Sequence, residues 1–246
     1  MDFKTILPNH ELRARARQQL KGAWGIMALA MFVYMLIAIV PQFLFWEHSP
    51  LHNVFLDPLM SLSVAAISGP MALGIAGFYL KRIRGMEISV GNIFDGFQRF
   101  LPAFLLAFLS GLFVMLWSLL FVIPGIIKAF GYSMAYFIMH DNPDIRPREA
   151  LKKSEAMMKG HKFRYFALQL SFIGWYLLGI LSLGIGYIWL SPYVYLAMGN
   201  FYENLKAGQE KPAEQIVEQV VERATEQVVE QKPKTSGLDA DTWKIR

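Results

Sequence analysis

One lysine stands inside a long apolar stretch of the sequence, where its charge could serve chemistry. Lys128 lies in the otherwise charge-free run 124–139, and an ionisable side chain in an apolar run of this kind is a functional candidate by default. Its ammonium group could contact an anion or a lipid headgroup, with the hydroxyl of Tyr132 one turn away. The alternative is snorkelling, since Lys128 follows the predicted Pro124-Gly125 turn closely and could reach the outer water. The residue types leave both interpretations open.

The histidines offer the next candidates for chemistry. His48 and His52 are four residues apart, a spacing that would place two imidazoles on one helical face for a metal ion. The segment "EHSPLHN" contains a proline, however, and is more typical of a turn. His140 lies beside Asp141 and Asp144, where we expect a solvated helix end. We therefore predict no metal site.

Recognisable catalytic motifs are absent from the sequence. It contains no phosphate-binding Walker loop, no dinucleotide-binding glycine fingerprint, no zincin motif and no nucleophile elbow. It also contains no cysteine, which excludes disulfides and thiolate catalysis. We accordingly predict no catalytic residue and no cofactor, and expect a protein that is not an enzyme.

Composition points to a membrane protein. Of the 246 residues, 54% are hydrophobic and 17% are charged, whereas about 25% of residues are charged in an ordinary soluble domain. The net charge of +5 could indicate nucleic acid, but the basic residues are spread between apolar runs and no recognition fold is evident. We predict no nucleic-acid partner.

Apolar windows set the predicted architecture. A helix needs about 20 mainly apolar residues to cross a bilayer, and the windows that approach this length are 23–46, 58–80, 101–123, 124–139, 166–183 and 187–202. The predicted fold class is all-α: a polytopic membrane protein of six transmembrane helices in three related hairpins. Its predicted segments are an N-terminal interfacial helix (1–22), a transmembrane domain (23–206) and a tail that is part helical and part disordered (207–246).

The lysines and arginines indicate the orientation of these helices. They fall in the N-terminal segment, in the connections after the second and fourth windows, and in the tail, while the other three connections contain none. Because short cytoplasmic loops retain basic residues, we predict a multi-pass plasma-membrane protein with both termini in the cytoplasm. Basic amphipathic helices before the first and fifth windows are predicted to lie at the cytoplasmic interface, where anionic headgroups would attract them.

A repeated proline and glycine pattern relates the three predicted hairpins. Each second helix carries a proline with a glycine seven residues later, in the pairs Pro70 and Gly77, Pro124 and Gly131, and Pro192 and Gly199. First helices start similarly, with "QLKGAWG" and "MMKGHKF". We expect these positions to be helix kinks and points of close helix packing. The alternative is a gate or substrate site, as in transporters with interrupted helices.

The tail has its own repeat. Within 213–231, glutamate recurs every fourth residue and apolar residues recur at spacings of four and three. Such spacing could pair a helix with a protein partner or with a second copy of the chain. Glutamates four residues apart repel one another, so a solvated helix or disorder remains the alternative.

Longer motifs carry a family resemblance. The segments "FVIPGIIKAFGYSMAYFIMHDNP", "EALKKSEAMMKGHKFRYFALQLSFIGW" and "SPYVYLAMGNFYENL", with "ARQQLKGAWG" near the N-terminus, resemble domain-of-unknown-function family 975 over about residues 10–206. This family comprises uncharacterised bacterial integral-membrane proteins, so the resemblance implies a bacterial plasma membrane. It supplies no catalytic residues.

These observations favour a non-enzymatic role at the membrane. We expect a component that binds membrane lipids, including anionic headgroups at the cytoplasmic face, or that assembles with other proteins. The alternative is a small-solute transporter or permease that uses the bundle interior, and the third choice is a lipid-modifying enzyme. Polar residues facing one another across the bundle would favour transport, whereas an apolar interior with lipid-facing grooves would favour binding.

Overall fold

Every regular element in the described part of the chain is helical. The computed structural model describes the backbone of residues 7–44 and 56–230 and the side chains of residues 7–38, 64 and 66–209. The all-α class is confirmed over this range. The α-helices are α1 (Asn9–Leu20), α2 (Trp24–Leu44), α3 (Leu56–Ile83), α4 (Phe100–Leu120), α5 (Val122–Tyr132), α6 (Ala135–Asp141), α7 (Pro147–Met157), α8 (Lys162–Leu170), α9 (Ile173–Leu181) and α10 (Tyr187–Glu230), with a 3₁₀ helix, Val90–Arg99, before α4.

Some of these helices are long and apolar enough to cross a membrane. Within the described residues, three stretches qualify: Val90–Leu120, Val122–Asp141 and Lys162–Leu181. A fourth arises if Asn9–Leu20 and Trp24–Ala38, which meet at an angle of 97°, are taken as one bent span. The length and apolarity of these stretches are those of a membrane protein.

The connection between α4 and α5 differs from the predicted turn. The break lies at Phe121, which is extended (φ −156°, ψ 141°), and Pro124 and Gly125 lie inside the first turn of α5. Proline is tolerated there because the first helical N–H groups have no partner within the helix. A Cβ added to Gly125 would collide with Ser118. The prediction of a Pro-Gly turn is therefore wrong, and the glycine instead lets α5 pack closely beside α4.

The two similar Lys-Gly motifs share one backbone conformation. Gly22, between α1 and α2, has φ +76°, and Gly160, between α7 and α8, has φ +83°. Glycine populates this left-handed region readily, and a glycine in it commonly ends a helix. At Gly22 this conformation coincides with the angle of 97° between Asn9–Leu20 and Trp24–Ala38. The shared motif thus corresponds to a shared local structure.

The first helix is anchored to the protein along its apolar side. Leu12, Ala16 and Leu20, spaced at four residues on α1, are fully buried. Arg82 donates hydrogen bonds to the carbonyls of Gln19 (2.8 Å) and Lys21 (3.1 Å), where a cation suits the negative end of the helix dipole. The apolar stripe of α1 is therefore covered by protein, and its location at a membrane interface stays a prediction.

Amide side chains join α1 to α10. Gln19 and Asn200 exchange two hydrogen bonds, at 3.1 and 2.7 Å. The backbone N–H of Leu7 donates to Asn204 at 2.9 Å. Since Asn200 is buried, this pairing satisfies polar groups that would otherwise be left without partners.

Closely approaching glycines hold α3 against the 3₁₀ helix and α4. An added Cβ at Gly74 would collide with the carbonyl of Ile93, one at Gly96 with the carbonyl of Pro70, and one at Gly69 with the carbonyl of Ala103. The backbones meet with no side chain between them, which is the packing that small residues permit in membrane bundles.

The chain divides into two compact units, Met1–Leu205 and Lys206–Arg246. In the second unit the backbone of α10 remains helical through Glu230. The side chains of the predicted association segment 213–231 lie outside the described residues, as do His48 and His52. The predicted association through 213–231 and the predicted absence of a metal site at His48 and His52 therefore both stay predictions.

Candidate functional site

A cavity of about 430 Å³ lies inside the first unit. Its walls come from α3, α4, α5, α6, the α5–α6 break and α10, and its volume falls in the range of about 300–1,000 Å³ typical of small-molecule sites. The lining residues are Ala72, Ala76, Leu106, Ser110, Gly111, Val114, Ala129, Tyr132, Ser133, Ala135, Tyr136, Phe137, Tyr195 and Met198.

The lining of this cavity is mainly apolar. Its polar side chains are the hydroxyls of two serines and three tyrosines, and the lining residues include no carboxylate, imidazole, ammonium or guanidinium group. Alkyl and aromatic walls favour an apolar ligand, while a few hydroxyl groups can orient a polar part of it by hydrogen bonds.

Two residues that line the cavity are exposed beside other exposed apolar residues. Gly111 on α4 and Ala129 on α5 line the cavity and are also exposed. A Cβ added to Gly111 would meet no atom within 4 Å. Nearby on the same helices, Met115 and Ile126 are 60% and 50% exposed. A large exposed apolar surface marks a site of membrane or protein contact.

Lys128 has a carboxylate partner within the chain. Its Nζ lies 2.5 Å from Oε1 of Glu155 on α7, and it also lies 5.3 Å from the ring centroid of Trp117 and 6.0 Å from that of Tyr132. Tyr132 lines the cavity, whereas Lys128 does not. The ion pair neutralises the lysine without an external anion. The predicted lipid or anion contact of Lys128 and Tyr132 stays a prediction.

A buried serine holds the break between α5 and α6. Ser154 on α7 is fully buried, and its hydroxyl donates to the carbonyl of Gly131 (2.7 Å) and accepts from the N–H of Met134 (3.1 Å). These backbone groups would otherwise be unpaired in the protein interior, where such groups are costly. Ser154 was not predicted as a site residue, although it lies four residues after Ala150 and three after Leu151, both of which are also buried on α7.

The three glycines of the repeated pattern have different neighbours. A Cβ at Gly77 would collide with the ring of His140, and one at Gly199 with Ile83. A Cβ at Gly131 would meet Lys162 only at an ordinary distance of 3.4 Å. Two of these glycines therefore lie where α3, α6 and α10 approach one another, whereas Gly131 is bonded through its carbonyl.

The prolines of the pattern are also not equivalent. Pro70 lies inside α3 and Pro192 inside α10, while Pro124 belongs to the first turn of α5. The carbonyl of Pro70 is the group that a Cβ at Gly96 would strike. Kinking at these prolines stays a prediction.

A cluster of mainly charged residues joins the C-terminal ends of α3 and α6 to the middle of α10. Arg84 Nη2 lies 2.7 Å from Asp141 Oδ2 and 2.7 Å from Glu203 Oε1, and the Tyr202 hydroxyl donates to Asp141 at 2.9 Å. We call these four residues the Arg84 cluster. The hydrogen bond from Arg84 to Asp141 is the main reason that the pKa of Arg84 is raised, and the bond to Glu203 adds to it.

The Arg84 cluster corrects part of the expectation that His140, Asp141 and Asp144 form a solvated helix end. The side chain of Asp141 is only 5% exposed, and the ring of His140 lies against Gly77. The predicted helix end is confirmed, since α6 ends at Asp141 and Asp144 is exposed, but the side chains of His140 and Asp141 pack against other helices and are not solvated as expected. Their partners come from helices far away in the chain, which gives them a structural role in joining α3, α6 and α10.

The fold and cavity together define a class: an all-helical protein with membrane-length apolar helices around an apolar cavity. A family model described as "Protein of unknown function (DUF975)" matches residues 6–130 and 119–209. The chain belongs to this family, which confirms the resemblance read from its motifs. Searches of curated proteins and of solved structures returned no match.

Proposed function

We propose that the chain is a multi-pass protein of the bacterial plasma membrane, with six transmembrane helices in three related hairpins and both termini in the cytoplasm. The distribution of lysine and arginine supports this orientation. The three apolar stretches and the bent pair α1–α2 supply up to four of the spans. The remaining two spans are α3 and the first part of α10, whose sequences contain the windows 58–80 and 187–202.

Within this architecture, the proposed function is non-enzymatic binding of membrane lipid in the cavity. The observation that carries the proposal is the apolar lining together with its exposed residues Gly111 and Ala129, which we take as the mouth of the cavity. A lipid chain could enter sideways from the bilayer without crossing a polar barrier, and tyrosine hydroxyls could hold its ester or headgroup oxygens. Assembly with a protein partner or a second copy through 213–231 is a separate part of the proposal, supported by the apolar spacing of the tail.

Transport is the second candidate function. The break between α5 and α6 interrupts the stretch Val122–Asp141, and interrupted helices form the substrate sites of many transporters. Lipid binding is favoured because Ser154 already bonds backbone groups on both sides of this break. A transporter of polar solutes would also call for more polar walls than those of the cavity.

Filling the mouth of the cavity tests lipid binding. We expect Gly111→Phe to reduce the lipid that copurifies with the protein several-fold, because a phenyl ring would occupy the open space beside Gly111. The measurement is native mass spectrometry after gentle detergent extraction. Gly174→Phe is the matched control, since Gly174 is also exposed on an apolar helix with nothing within 4 Å of an added Cβ but does not line the cavity.

Equal lipid retention by the wild type and Gly111→Phe would contradict binding in the cavity. A loss of lipid in both variants would show instead that any bulky residue on the apolar surface displaces it. Movement of a solute into liposomes by the wild type, blocked by Gly111→Phe, would establish the transport alternative.

A further inference from the structure

An arginine on α8 buries donor groups that have no partner among the described residues. The Nη1 and Nη2 atoms of Arg164 are both buried and form no hydrogen bond with described residues. The guanidinium lies 5.1 Å from the ring centroid of Phe201. A cation–π contact stabilises the charge but provides no oxygen for the N–H groups. The N–H groups at the end of the Arg164 guanidinium therefore have no acceptor among the described residues.

A second arginine, on α1, has one buried donor atom without a partner among the described residues. The Nε atom of Arg13 is buried without a hydrogen-bond partner, and so is the Oδ1 atom of Asn9, which lies one helical turn before Arg13. Asn9 also connects the two helices, because its Nδ2 donates to the carbonyl of Arg164 at 3.2 Å. Asn9 thus joins α1 to the backbone of α8 at Arg164, and Arg13 follows Asn9 on the same helix.

The described residues supply no counter-charge to these two arginines. No described carboxylate forms an ion pair with Arg13 or Arg164, in contrast to Arg84 and Lys128. Burial and, secondly, the charge of Arg164 lower the pKa of His161. One amide oxygen from Asn9 cannot neutralise two guanidinium groups. A buried cation without a partner is strongly unfavourable, whereas one paired with an oxyanion is not.

We propose that Arg13 and Arg164 form a binding site for the phosphate of an anionic phospholipid. The planar guanidinium matches phosphate oxygens in a bidentate manner, which an ammonium group does not. Arg164 stands at the start of the apolar stretch Lys162–Leu181, at the level where headgroups lie if this stretch crosses the bilayer. Both arginines are only partly buried as residues, so a change of rotamer gives a phosphate access. This inference rests on the proposed membrane location and names the headgroup class.

Lipid selectivity tests the site. The full-length protein is placed in nanodiscs or mixed micelles containing phosphatidylcholine, with or without phosphatidylglycerol, and bound lipids are counted by native mass spectrometry. We expect wild type to prefer phosphatidylglycerol, and Arg164→Gln and Arg13→Gln each to weaken that preference about tenfold, the change expected when a charge-assisted hydrogen bond is lost. We expect Arg164→Lys to keep only part of the preference for phosphatidylglycerol, because lysine retains the positive charge but lacks the planar guanidinium.

Matched controls exclude a general effect of charge. Arg15→Gln removes a cation from an exposed position on the same helix, and Arg148→Gln removes one from an exposed position on α7; both should keep the wild-type preference. Unfolding in phosphatidylcholine alone checks that the variants fold, and there Arg164→Gln should be at least as stable as wild type because an unpaired buried charge is gone. Equal preference in wild type, Arg13→Gln and Arg164→Gln would overturn the site.

Two further results separate the sources of phosphate and the two proposals. Stabilisation of the wild type, but not of Arg164→Gln, by inorganic phosphate without lipid would assign the site to free phosphate and overturn the lipid assignment. If the wild type retains lipid without any headgroup preference, the arginine site fails while lipid binding in the cavity stands. If no lipid is retained at all, the proposed function itself fails.

Discussion

Replacing Arg84 by methionine is expected to lower the free energy of unfolding by about 3 kcal/mol, the lower end of the range for breaking a buried ion pair. Asp141 is only 5% exposed and would lose its cationic partner, while Arg84 itself is 32% exposed, which moderates the effect. The expected loss can be measured by equilibrium unfolding of the purified protein in mixed detergent and sodium dodecyl sulphate micelles. The physical reason is that the nearly buried Asp141 carboxylate would lose its charge-assisted hydrogen bond from Arg84.

Lys81→Met is the matched control for the Arg84 cluster. Lys81 pairs with Asp95 at 2.7 Å near the same end of α3, but the two side chains are 27% and 35% exposed. An ion pair of this exposure contributes at most about 1 kcal/mol. Similar losses in Lys81→Met and Arg84→Met would contradict the claim that the Arg84 cluster holds α3, α6 and α10 together.

Gly96→Ala is expected to have a second large effect, a loss of stability of about 3 kcal/mol or a rearranged helix contact. The added methyl group would collide with the carbonyl of Pro70 and approach the backbone of Gly74. Backbone atoms cannot move aside as the tip of a flexible side chain can, so α3 and the 3₁₀ helix would have to separate. The same unfolding measurement gives the loss.

Gly91→Ala provides the comparison within the same 3₁₀ helix. The atom nearest to an added Cβ at Gly91 is the Ser89 hydroxyl oxygen, at an ordinary distance of 3.6 Å. We expect a change of no more than about 0.5 kcal/mol, as for substitutions away from special features. Equal losses at positions 91 and 96 would mean that alanine harms the 3₁₀ helix itself, and the close-packing account of Gly96 would be wrong.

The helices were predictable from the sequence because apolar length is a local property. Five of the apolar windows coincide with α2, α3, α4, α8–α9 and the first part of α10, and the sixth coincides with α5 and α6. The relation between "LKG" and "MKG" was also visible, because glycine at such a helix end reflects one local conformation, found at Gly22 and Gly160. Proline position was less informative, since Pro124 suits the first turn of a helix as well as a turn between helices.

The contacts that build the interior were not predictable in this way. Arg84 lies 57 residues from Asp141 and 119 from Glu203, and nothing local to Arg84 marks either partner. Lys128 illustrates the same difficulty, because the sequence showed a lone cation in an apolar run while its counter-charge, Glu155, comes from another helix. The cavity is likewise a product of packing, since its lining residues come from five helices.

The membrane orientation is the claim on which the whole account depends, and cysteine labelling tests it most directly. The sequence contains no cysteine, so single substitutions can be read without background. Leu183, between α9 and α10, is 93% exposed, while Glu87 and Lys152 are exposed near the charged ends of the helices. In intact cells, a membrane-impermeant maleimide should label Leu183→Cys, and should label Glu87→Cys and Lys152→Cys only after permeabilisation. Labelling of Glu87→Cys or Lys152→Cys in intact cells would contradict the account.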